Sequence, residues 1–180
     1  VVSEVSLNRD EIVAARELVR ARHRSEYNGR LNCEVPKVPG EPIDLGEDAP
    51  GGPKEARRLE ALSRFGFVDP EPGDILDRFA RLAAQVFDTA FAALFFVAEE
   101  RVRFVARHGL EVSECPRTGS FFDQTIRQDD IVWIADAREV LPFRDMQLVT
   151  GPPGVRFYAG APLKTPDGLV IGALCVLDPD

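Results

Sequence analysis

Hydrophobic and polar positions divide the chain into helical, irregular and strand-like stretches. Near the start, Asn8 precedes Glu11 by three residues, the spacing of a capping box. Ile12, Ala15, Leu18 and Val19 then recur along one side of a charged helix predicted to run to about Tyr27. So thin a stripe either docks on a neighbour or leaves the segment as a solvated appendage. Across residues 36–53, nine of eighteen positions are Pro or Gly, which disfavours any regular element and predicts a linker. Pro53 suits the first turn of a helix. Ala56, Leu59, Leu62 and Phe65 are expected to form its apolar face, and Gly66 its end. A second helix is predicted from Asp74 to about Phe87. Ile75, Phe79, Leu82, Ala83 and Val86 make its expected core face, with Asp77, Arg78 and Arg81 on the wet side.

Strand patterns follow. Phe91 to Ala98 is a continuous apolar run of strand length, as expected of a central strand covered on both faces. Arg101 to Arg107 alternates, which predicts a half-exposed strand antiparallel to the first. After a loop holding Cys115, Pro116 and Arg117, Ser120 can cap a short helix, FFDQTIRQ. Ile131 to Ile134 is a further strand, and Asp136 to Gly154 is irregular. Val155 to Leu163 and Leu169 to Leu177 are strands joined through Pro166-Asp167-Gly168, a hairpin signal because Gly supplies positive φ after a preset Pro. The sum is an α+β domain at 53–180, preceded by a helical extension at 1–35 and a Pro/Gly-rich linker at 36–52. A ligand is expected between the sheet and the insertion at 109–154.

Composition narrows the function classes. The 180 residues carry a net charge of −8, and the acidic excess is spread over both parts. Residues 1–52 hold seven Lys and Arg against ten Asp and Glu, and residues 53–180 hold fifteen against twenty. Arg20, Arg22, Arg24, Arg57 and Arg58 are diluted by neighbouring acids, so no nucleic-acid partner is expected. No run approaches the roughly 20 apolar residues of a membrane span. Three separated cysteines without a CxxC argue against disulfides and for a reducing compartment, hence a cytoplasmic location. With only His23 and His108, a His-rich metal site is not expected. The chain starts at Val1 without Met and stops just after the last strand, so it is expected to be a piece of a longer protein.

Specific motifs then become visible. The body opens with Glu55, Arg58, Leu59, Ala61 and Leu62. It closes with Arg156-Phe157-Tyr158-Ala159-Gly160, Pro162-Leu163, Thr165-Pro166-Asp167-Gly168, Gly172, Leu174-Cys175-Val176 and Asp178. Pro116-Arg117, Ser120-Phe121, Asp136-Ala137, Phe143 and Leu148-Val149-Thr150-Gly151 lie between them in order. Residues 53–178 therefore resemble a GAF domain. The resemblance implies a PAS-like fold with a central antiparallel sheet of five or six strands and packed helices. It also implies a non-enzymatic sensory module of a two-component or related signalling protein, with a histidine kinase or diguanylate cyclase as effector and a homodimer as its assembly. Where the family often carries S-F-C-A-H, this chain has Ser120-Phe121-Phe122-Asp123-Gln124, so the reactive Cys and the His are replaced.

Each chemistry known in such domains requires particular residues. Chromophore attachment needs an accessible thiol near the pocket; Cys115 sits in a loop and Cys175 in an apolar strand. A free methionine sulfoxide reductase needs an attacking and a resolving Cys, and no pair has a redox spacing. No N-K-x-F cyclic-nucleotide pattern and no Walker or Rossmann phosphate loop is present. No cofactor is assigned. A small ligand is expected against Phe104, Phe121, Phe122, Phe143 and Tyr158, with Gln124, Asp136 and Arg156 as polar contacts and Asp136 as partner of Arg156. In the alternative, Phe122 plugs the pocket, and a ligandless module relays signals by dimerising through its helices.

Overall fold

The computed structural model describes residues 52–64, 74–141 and 143–180, with the backbone alone at 74 and 75. The expected helix at 8–27, the linker short of Gly52, and Phe65 and Gly66 lie outside the described residues. Helix α1 spans Pro53–Arg64 and helix α2 spans Asp74–Phe87. Strands β1 (Phe91–Val97) and β2 (Arg101–His108) form the first hairpin. The insertion contains strand β3 (Glu114–Pro116), helix α3 (Phe121–Thr125), strand β4 (Val132–Ile134) and helix α4 (Gln147–Thr150). Strands β5 (Phe157–Lys164) and β6 (Val170–Asp178) close the domain. The six strands make one antiparallel sheet in the order β3-β2-β1-β6-β5-β4, within the five or six expected. No described helix is long and apolar enough to cross a membrane.

Side-chain alternation sorts the sheet into two faces. Ala93, Phe95, Val97, Phe104, Ala173, Cys175 and Leu177 join the insertion in the larger core. Ala92, Ala106, Phe157, Ala159 and Val176 meet α2, while Leu169 and Ile171 meet α1. β1 is thus central and covered on both sides, as its unbroken apolar run predicts. The closing turn also forms as expected: Gly168 adopts φ 80° and donates its N–H to the Thr165 carbonyl at 2.8 Å.

The helices differ from expectation. On α1, Ala56 is exposed and the charged pair Glu55 and Arg58 is buried beside Ala61 and Leu62. On α2, Phe79, Leu82 and Val86 are exposed, and the packed face is Ala80, Ala83 and Ala84, with Leu76 and Phe87 partly covered. Two stripes one residue apart share the same helical spacing, and the larger side chains lie on the wrong one. The small stripe wins because Ala92, Ala106 and Ala159 line the sheet beneath it, so alanines let the helix approach closely. Asp77 is not simply solvated: its Oδ1 accepts the Arg107 N–H at 3.0 Å and ties α2 to β2.

Gly172 shows how closely β1 and β6 meet. A Cβ there would stand 2.1 Å from the Phe95 carbonyl oxygen, which is backbone and cannot swing aside. Gly172→Ala is expected to lower stability by roughly 1–3 kcal/mol. The check is a lower urea midpoint with an unchanged m-value.

Candidate functional site

The sheet and the insertion bring together the aromatic residues singled out in the sequence. Phe104 on β2, Phe121 and Phe122 on α3, Phe143 in the turn Phe143–Asp145 and Tyr158 on β5 are all buried. Phe95 on β1 completes the cluster. Ser120 caps α3, accepting the Asp123 N–H on its side chain, and so aims the two phenylalanines at the sheet. Phe122 lies at the centre. Its ring is 4.7 Å from Phe95, 5.1 Å from Phe104, 5.9 Å from Phe121 and 5.8 Å from Tyr158, all edge to face. Phe121 stacks on Tyr158 at 4.9 Å and touches Phe143 at 5.1 Å. Each such pair contributes roughly 0.5–1.5 kcal/mol beyond area burial.

The phenol of Tyr158 is satisfied inside this cluster. Its Oη is 2.6 Å from Thr125 Oγ1, which donates to the Phe121 carbonyl at 2.8 Å. Burial pushes the Tyr158 phenol well above its ordinary pKa, so it stays protonated. Gly160 makes room for it, since a Cβ at that position would be 2.3 Å from the phenol oxygen.

Of the expected polar contacts, Asp136 and Arg156 turn elsewhere. Gln124 is half-buried on α3. Asp136 caps the turn Ala137–Glu139 and binds Arg138 through backbone and side chain. Those hydrogen bonds hold its carboxyl below the usual range, and Arg156 adds only a smaller attraction. Arg156 is exposed, and only its backbone joins neighbours, to Asp178 and Ala137. The expected Asp136–Arg156 pair is therefore replaced by Asp136–Arg138, because a partner two residues away on one turn costs less order than one across the loop.

A second constellation was present in the sequence only as motif letters. Glu55 on α1 takes two bonds from Arg58 at 2.8 Å and one from Arg117 at 2.5 Å. Arg117 Nε donates to Asp123 at 2.7 Å, and Asp123 also pairs with Arg127. Arg58 reaches the Val97 carbonyl, and Arg117 those of Ala98 and Glu99. The network joins α1, the β1–β2 turn and α3. Its one visible signal was the spacing of Glu55 and Arg58, which places both on the helix side that carries Leu62. A cleft of about 40 Å³ borders it, lined by Lys54, Glu55, Arg58, Arg117, Gly168 and Leu169 among others. That holds a few waters and falls far short of a ligand site of several hundred Å³.

The two thiols among the described residues are quiet. Burial pushes Cys115 up to about 12 and raises Cys175 as well, so neither holds much thiolate near neutral pH.

An antiparallel six-stranded sheet with two helices on one face and an insertion over the other defines a sensory-type α+β domain. The chain belongs to the GAF domain family, whose model matches residues 71–180. A cyclic di-GMP phosphodiesterase of Pseudomonas aeruginosa is 34% identical over 124 residues, which make up 69% of this chain and 21% of that protein. The chain thus spans about a fifth of the length of this curated relative. The GAF domain of a phosphoenolpyruvate-protein phosphotransferase from Coxiella burnetii shares the fold, with a TM-score of 0.50 and 12% identity over 71% of this chain and 79% of that one. A free methionine-R-sulfoxide reductase from Neisseria meningitidis, in complex with its substrate, has a TM-score of 0.49 and 14% identity over 69% of this chain and 71% of that one.

The network sets a pH dependence. Burial alone would raise the Glu55 pKa, but hydrogen bonds and charge from Arg58 and Arg117 overcome it and bring it to about 2, from 4.5. A folded value below the unfolded one stabilises fully above about pH 4.5, and that stability drains away as pH falls toward 2. Glu55→Gln is expected to flatten the fall in unfolding free energy across that window. At pH 7 it should cost about 3–5 kcal/mol by leaving buried Arg58 without its carboxylate and Arg117 with Asp123 alone. Urea melts at several pH values read both effects.

Proposed function

We propose that residues 53–180 form a regulatory GAF domain of a larger cytoplasmic signalling protein, acting as a ligandless interaction module. The observation that carries this reading is Phe122. Its ring fills the space between the insertion and the sheet and contacts Phe95, Phe104, Phe121 and Tyr158. Of the two expectations, the plugged pocket has this support, whereas a small ligand held by Asp136 and Arg156 would need the former to leave Arg138 and the latter to leave the surface. The boundary at residue 53 is supported by the buried bond from Arg117 to Glu55, which ties α1 to the region beyond it.

A non-enzymatic role is supported by the raised thiol of Cys115, since both reductase chemistry and chromophore attachment require a thiolate. The effector belongs to the longer protein. A histidine kinase or diguanylate cyclase fits the resemblance, and the relative named as a cyclic di-GMP phosphodiesterase brings that activity into the same group. Signals would pass to it through the helices on the face of the sheet opposite the insertion.

Native mass spectrometry of the purified chain is expected to give the bare polypeptide mass, and its absorption from 300 to 700 nm should be flat. A stoichiometric small molecule or a visible chromophore would overturn the ligandless reading. Phe122→Ala is expected to lose about 3–5 kcal/mol of stability by opening a cavity in the aromatic cluster. Thermal unfolding checks it.

A further inference from the structure

The cleft beside the Glu55 network holds a buried donor without an acceptor. Arg117 is 4% exposed and lines the cleft. Its Nε donates to Asp123, and its Nη1 serves Glu55 and the carbonyls of Ala98 and Glu99. No described group accepts from Nη2, so that end of the guanidinium fork is left to the cleft. A buried charged donor is costly to leave unpaired. The first turn of α1, a helix of 12 residues, lines the same space through Lys54 and Glu55. It adds the positive end of a helix dipole to the site.

We propose that this cleft binds a phosphate group, free or as a small ester, with Arg117 Nη2 as its buried donor. Charge favours an anion over water. Lys54, Arg58, Arg117 and Arg127 line the cleft, against Glu55 and Asp129. Asp123 is shared by Arg117 and Arg127, and Asp129 is held by Lys164 at 3.0 Å. Among the described residues, five cations thus meet three carboxylates, in a chain whose net charge is −8. A water would satisfy the Nη2 hydrogens and leave that positive excess in place, whereas a doubly charged phosphate answers both. The size agrees. A volume of about 40 Å³ is room for roughly three waters, which suits the oxygens of one tetrahedral group with any ester remainder in solvent. The site is separate from the aromatic cluster, since Ile126 and Val170 alone of its lining residues belong to that core. It therefore goes beyond the ligandless reading, which concerns the space that Phe122 fills. A phosphate held there would bridge α1, the segment after α3 and the hairpin between β5 and β6.

The test uses the full 180-residue chain, with inorganic phosphate and glycerol phosphate as probes and chloride at matched ionic strength as control. Two-dimensional NMR is expected to show saturable shifts of the Arg117 Nε–H and of the Lys54 and Leu169 amides with phosphate, and none with chloride. Arg117→Lys keeps the charge but lacks Nη2, and should weaken phosphate binding at least tenfold. Gln128→Glu places a carboxylate at the rim and should weaken it roughly tenfold, and Lys54→Gln should also weaken it. Gln128 and Lys54 are exposed, so these two variants keep their fold and carry the test where Arg117→Lys does not. Shifts with inorganic phosphate alone support a site for the free ion, and shifts with glycerol phosphate as well support one that admits esters. Four results would overturn the proposal: no shift with either phosphate, equal shifts with chloride, binding unchanged in Gln128→Glu, or shifts centred away from the cleft. The middle two mean an adventitious ion only. A molecule retained equally in the native mass of the parent and of Gln128→Glu would sink the ligandless reading without touching this one.

Discussion

A single buried carboxylate holds the layers of this domain in register. Glu55 accepts from Arg58 on its own helix and from Arg117 in the loop before α3, while the same guanidinium groups reach the carbonyls at the end of β1 and in the turn after it. Its removal would leave buried Arg58 without a carboxylate and Arg117 with Asp123 alone, and breaking a buried pair costs far more than the pair itself gains. The contact therefore acts less as a source of net stability than as a constraint on geometry. It specifies where α1 starts against the sheet and where the loop carrying Ser120 must turn.

That turn decides the fate of the presumed pocket. Arg117 grips Asp123, Ser120 caps α3, and the two phenylalanines that follow are delivered into the sheet. Phe122 fills the space beside Phe95 and Phe104 with edge-to-face contacts. On the opposite face of the sheet, α2 presents large apolar side chains away from it.

Legibility varied with the physical basis of each signal. Strands were the clearest, because a continuous run such as Phe91 to Val97 and an alternating one such as Arg101 to Arg107 report burial on two faces or one directly. The glycines in β5 and β6 were legible for the same reason, since a strand tolerates Gly where something approaches closely, here the Tyr158 phenol and the Phe95 carbonyl. The aromatics singled out in the sequence meet one another in the structure, whereas Asp136 takes Arg138 within its own turn and not Arg156.

By itself the sequence determined the order of α1, α2, β1, β2, α3, β4, β5 and β6 and the hairpin at Pro166-Asp167-Gly168, because each follows from local periodicity or turn chemistry, whereas β3 and α4 formed in stretches read as loop. Tertiary structure alone decided which of two equally spaced stripes of α2 faces inward, which charges are buried together, and that Phe122 fills its space. Those outcomes depend on what stands opposite. The alanines of the sheet select the alanines of the helix, Arg117 selects Glu55 from 62 positions away, and neither partner is visible in the other's local pattern.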